Sequence, residues 1–163
     1  MLRLLLCLSV VAGLVPVSVR AGLGETLSEI ERRFGRPQPQ LRPQKNTAMW
    51  SIETDQSERL VYTVTFNAKG RSVAEGLKPL GRAVLTDSLA QSFVDSQLAP
   101  YPDAKTTRRP KPGEKYVFAG QVFTCGANET VWVDEANDFM VIWVQGKQPL
   151  VMAVRAEMLQ AAP

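Results

Sequence analysis

The chain has 163 residues, 45% hydrophobic and 21% charged, with 19 Lys and Arg against 16 Asp and Glu, and no histidine. That balance suits one globular domain and argues against a disordered or fibrous chain. Without histidine, Ser-His-Asp and Cys-His catalysis cannot be assembled within one chain, and the few cysteines cannot make a zinc site.

The first 21 residues read as a secretory signal peptide. Arg3 is the positive end, Leu4–Val15 is nearly unbroken apolar sequence, and Val19-Arg20-Ala21 has the small-residue spacing of a cleavage site. Cleavage after Ala21 is expected, making the protein secreted or periplasmic. An apolar run of 12 residues is short of the about twenty that span a bilayer, so the mature form is not expected to cross one. Cys7 lies inside the apolar run, whereas a lipoprotein signal places its cysteine at the end. Losing Arg3 and Arg20 takes the basic side chains from 19 to 17 against 16 acidic ones. A nearly neutral mature chain exerts little general pull on nucleic acid or anionic lipid. Cys125 is the sole cysteine after cleavage, so no intramolecular disulfide can form. Its expected role is a small buried hydrophobe, the alternatives being a reactive thiol or an intermolecular bridge.

Residues 22–163 are expected to form a single α+β domain. Leu23, Leu27, Ile30 and Phe34 recur at helical spacing, Thr26 and Glu29 have the spacing of a capping box, and Gly35 with Pro37 supplies a stop. Residues 38–46 read as a loop. A strand follows around Ala48, Trp50 and Ile52, then a turn at 53–58, then the clearest strand, Arg59–Phe66, with Leu60, Tyr62, Val64 and Phe66 on one side. Asn67–Gly70 reads as a turn. Beyond it Val73 could continue a hairpin that Gly76 and Pro79 would interrupt. Leu85, Leu89, Phe93, Val94 and Leu98 return to helical spacing, with Thr86 or Asp87 as cap. Tyr101–Glu114 is rich in proline and is expected to be an exposed loop. Residues 116–125 predict a strand broken or bulged at Gly120. Residues 129–134, 139–144 and 150–154 predict three further strands, with an acidic hairpin loop at 134–138 and a tail that is a helical turn or frayed. The predicted class is an antiparallel sheet with two short helices packed on one face. The order helix, strands, helix, strands also allows a pseudo-repeat of residues 22–82 and 83–163.

Gly24, Thr26, Glu29, Ile30, Phe34, Gly35 and Pro37, then Trp50, Val64, Phe66 and Gly70, form a pattern similar to the opening of the small BamE-like (SmpA/OmlA) outer-membrane assembly lipoproteins. Uncharacterised secreted bacterial proteins share that opening. The resemblance covers residues 22–70. It implies a periplasmic scaffold protein with no catalytic residues, although the family's lipidation cysteine and chain length are not matched here.

No phosphate-cradling loop, dinucleotide fingerprint or Ser-x-x-Lys run is present. Asp134, Glu135 and Asp138 crowd one loop and could hold a hard cation, but they lack the ordered spacing of a calcium loop. Asn128-Glu129-Thr130 matches a glycosylation acceptor. Lys105, Arg108, Arg109, Lys111 and Lys115, flanked by Tyr101 and Tyr116, form the strongest candidate partner-binding segment. The expected function is a non-enzymatic, exported binding or scaffold protein acting on another protein, without cofactor, metal or nucleic acid. The alternatives are a small secreted hydrolase using Asp/Glu or Cys125, and a secreted inhibitor.

Overall fold

The computed structural model describes residues 22–41, 45–54, 59–100 and 107–160; the leader and Lys105 lie outside them. α1 (Leu27–Phe34) starts at the predicted capping box. Thr26 Oγ1 accepts the Glu29 N–H at 3.3 Å, and Glu29 Oε2 accepts the Thr26 N–H at 2.7 Å. Gly35 closes the helix at φ 72°, where a side chain would be strained, and its N–H donates to Glu31 O. The predicted apolar face is only partly used. Ile30 is buried and Phe34 packs on the sheet, but Leu27 is 39% exposed. The chain turns at Gly24 and becomes helical only at Leu27, so the helical period does not run back through Leu23.

A 3₁₀ turn, Pro39–Leu41, leads into β1 (Thr47–Glu53), β2 (Arg59–Phe66) and β3 (Ser72–Pro79). β3 corrects the expectation that Gly76 and Pro79 interrupt a strand. Gly76 pairs with Thr63 on one side and Met152 on the other, and Pro79 is simply the last residue, opposite Leu60. Glycine's weak strand preference is overridden because both neighbours hold the backbone. α2 (Asp87–Leu98) is capped by Thr86 and buries Ala90, Phe93, Val94 and Gln97.

β4 (Lys115–Phe118) and β5 (Gln121–Thr124) form a separate hairpin, where the sequence predicts one broken strand. Ala119 (φ 53°) and Gly120 (φ 77°) are both left-handed, which is the two-residue turn whose twist matches a hairpin. β6 (Glu129–Asp134), β7 (Phe139–Val144) and β8 (Leu150–Arg155) follow, and the tail forms a short helix, α3 (Ala156–Gln160).

The main sheet is antiparallel, in the order β1-β2-β3-β8-β7-β6, so the protein is of the α+β class. Outward from the β3–β8 pair, each side presents its third, second and first strand. One face lies under α1 and α2. Across it run Ala48, Val64, Glu75, Ala153, Val141 and Trp132, and beside them Trp50, Tyr62, Leu77, Val151 and Trp143. Phe93, Val94 and Ala90 of α2 and Ile30 of α1 close this core. On the second face, Val131, Val133, Met140 and Val154 lie under Tyr116, Phe118 and Cys125. β7 is therefore covered on both sides.

Both outer strands carry a backbone bond from a flanking segment. Gln38 N–H donates to Met49 O on β1, and Arg108 and Val133 exchange two backbone bonds at β6. These contacts blunt the edges against pairing with another chain.

Candidate functional site on the sheet

Of the predicted basic segment, Arg108, Arg109, Lys111 and Lys115 are described and exposed, and the two arginines also make contacts within the fold. Arg108 supplies the bridge to Val133 and its guanidinium pairs with Glu114. Arg109 lies over the Trp132 ring, 5.1 Å from its centroid. Pro110 is buried, and the Lys111 N–H donates to Glu114 Oε2 at 2.8 Å. That backbone bond, then Arg108, holds the Glu114 carboxyl below the usual carboxylate range. Lys111 and Lys115 are exposed. Residues 107–114 form an irregular, largely exposed segment, as expected for a loop, anchored to β6 through Arg108. An extended segment with unused backbone groups is drawn to an open strand edge.

The acidic loop is a structural turn. Asp134 is fully buried and accepts bonds from the Asn137 backbone and side chain, each at 3.0 Å, and from Thr107. Asp138 sits at φ 55°. No group of three or more Cys, Asp or Glu among the described residues is placed to hold a metal ion. Cys125 is 1% exposed, and burial raises its thiol, with the charges of Glu129 and Glu114 adding to the shift. This is the opposite of an activated nucleophile. Glu29 is engaged in capping, and its carboxyl is lowered first by the Thr26 backbone bond.

Periodicity gave no sign of the buried polar cluster at Glu75, which is 1% exposed beneath α2. Its Oε2 accepts from Tyr62 Oη (2.8 Å) and Gln97 Nε2 (2.9 Å), and its Oε1 from Ser72 Oγ (2.8 Å). Ser72 Oγ in turn accepts the N–H groups of Gly24 and Glu25, and Gln97 Oε1 accepts that of Leu23. One carboxyl thus ties the first described residues to β3 and α2. Burial pushes Glu75 upward while the three donors pull it down, with a net rise. Burial, then the adjacent Glu75 charge, pushes Tyr62 well above its ordinary value. The cluster is sealed from solvent and organises structure.

The open surface lies on the second face. The β4–β5 hairpin covers the β6–β8 half, α3 packs against β3 and β8, and the rest of the β1–β3 half is open. There a groove of about 440 Å³ is floored by Thr63, Thr65, Ala74 and Gly76 and walled by Met49, Met152, Leu150 and Met158, with Lys78 at its edge. Gly76 keeps the middle of the floor at backbone height between Thr63 and Met152. Threonine hydroxyls and adaptable methionine thioethers suit a mixed, partly apolar partner surface. Alternation shows that these residues share a face, but not that the hairpin misses them. No described helix is long and apolar enough to cross a membrane. No protein-family model, curated protein or solved structure matches the chain.

Proposed function

We propose that this is an exported, non-enzymatic binding or scaffold protein whose partner is another protein seated on the open half of the second sheet face. The observation that carries the reading is the unequal covering of that face: a hairpin buries one half, while the other keeps a groove lined by Met49, Thr63, Met152 and Met158. Concave surfaces with convergent apolar and polar groups are the usual places for recognition. Arg108 and Arg109 are engaged within the fold, which turns the reading away from the basic segment. The signal-like leader and the likeness of residues 22–70 to envelope scaffold proteins support export.

Site-specific photo-crosslinking in the producing cells tests the reading. A benzophenone side chain replacing Thr63 is expected to give a discrete protein adduct, and one replacing the exposed Gln91 of α2 is expected to give none. No adduct from position 63 would sink it. Turnover of any substrate by the purified protein would overturn the non-enzymatic part.

A further inference from the structure

We propose that the groove is an oxidative modification site, in which a peroxide converts the thioethers of Met49, Met152 and Met158 to sulfoxides and so turns the docking face polar. The effect on docking rests on the function proposed above, and the modification itself does not. The described residues contain four methionines. Three of them line the groove, each partly exposed. The fourth, Met140, is 2% exposed in the core beneath the hairpin. Cys125, the competing thiol, is 1% exposed. Accessible thiols and thioethers stand at the head of the oxidation ladder. Among the described residues, accessible sulfur is therefore gathered in this one place.

Met49, Thr63, Gly76 and Met152 are successive partners in one row across β1, β2, β3 and β8. Gly76 brings no side chain to the floor. A Cβ at that position would stand 3.5 Å from Met152 Cβ, so the flank of Met152 that faces the trough is left bare. Met158 reaches the groove from α3, which packs on β3 and β8. The reaction needs no further group from the protein. The sulfur lone pair attacks one peroxide oxygen and the O–O bond breaks. The leaving hydroxide takes that oxygen's proton and departs as water. The thioether loses two electrons and the peroxide gains them. The floor accommodates the polar product: Thr63 is the direct cross-strand neighbour of Met49, with Cβ atoms about 5 Å apart, and its hydroxyl is a donor for the new sulfoxide oxygen. A sulfoxide is polar and chiral and disrupts methionine-rich contact surfaces, and reductases specific for its two epimers reverse it. An exported chain works outside the reducing cytosol, where such oxidants are met.

Hydrogen peroxide treatment of the purified folded protein, read by peptide mass spectrometry over time, tests the modification. Met49, Met152 and Met158 are each expected to gain one oxygen at least about tenfold faster than Met140, whose reaction waits on opening of the fold. In concentrated urea the four rates should converge. Groove methionines that lag with Met140 in the folded protein, or a Met140 that keeps pace with them, overturn the inference. Purified protein with the benzophenone side chain at position 63, mixed with an extract of the producing cells, reads the consequence. Its adduct should be lost after peroxide treatment and return after both sulfoxide reductases have acted, with circular dichroism unchanged throughout. An adduct that survives full sulfoxidation, or that is lost only together with the fold, overturns the effect on docking. No adduct from the untreated protein removes the docking face and its regulation together, whereas the oxidation rates stand or fall on their own.

Discussion

Tyr62 Oη donates to Glu75 Oε2 at 2.8 Å in a site where both residues are essentially cut off from solvent. Tyr62 also packs against Phe34 and Trp50, at centroid distances of 5.0 and 5.8 Å, so the aromatic cluster under α1 meets the polar cluster under α2 through this one side chain. Three donors converge on the carboxyl, and none is a cation.

The first prediction concerns pH. Burial raises the folded-state value of Glu75, so its contribution to stability is complete below the unfolded carboxylate value of about 4.3 and is lost as pH rises through the folded value. The stability of the wild type relative to Glu75→Gln should therefore fall as pH rises across that window. Comparing the two proteins cancels Glu29, whose lowered carboxyl is present in both. Urea unfolding at a series of pH values checks this, and a difference that grows with pH would contradict it.

Removing the acceptor is a separate matter. Glu75→Ala leaves the buried Tyr62, Ser72 and Gln97 donors facing a void and should cost about 2–5 kcal/mol. Tyr62→Phe removes one donor of three and should cost about 1–2 kcal/mol. Chemical denaturation measures both, and a larger loss in Tyr62→Phe would refute the central role of Glu75.

The two buried tryptophans of the outer strands are predicted to behave differently. Trp50 Nε1 donates to Gly35 O at 2.9 Å, fastening β1 to the end of α1, whereas the buried Trp132 Nε1 has no hydrogen-bond partner among the described residues. Trp50→Phe should thus cost about 1 kcal/mol more than Trp132→Phe. Paired unfolding curves decide it, and equal losses would argue against the Gly35 bond as the distinction.

Cys125 should be inert in the native protein. Its thiol is buried, raised, and directed toward the carbonyls of Gly126 and Glu129, both at 3.7 Å. Alkylation by iodoacetamide is expected only after unfolding, and a disulfide-linked dimer is not expected under oxidising conditions. Rapid labelling of folded protein, read by mass spectrometry, would reopen the alternative of a reactive thiol.

The capping box and the β2 alternation were legible because each is a local pattern with one period and one cause. Those patterns, with the positions of the breaks, were enough for the α+β class and for two helices against antiparallel strands. They could not show that Ala119 and Gly120 fold one predicted strand into a hairpin, that Gly76 sits at the sheet's centre, or that Arg108 and Arg109 serve the fold. Nor could they bring together Glu75, Tyr62, Ser72 and Gln97, which lie on three elements. Alternation assigns a residue to a face of a sheet, but which part of that face is covered depends on where a distant hairpin lands. That choice is made by long-range packing of Tyr116 and Phe118 on Val131 and Met140, and with the landing of α3 on β3 and β8 it sets where the groove stays open.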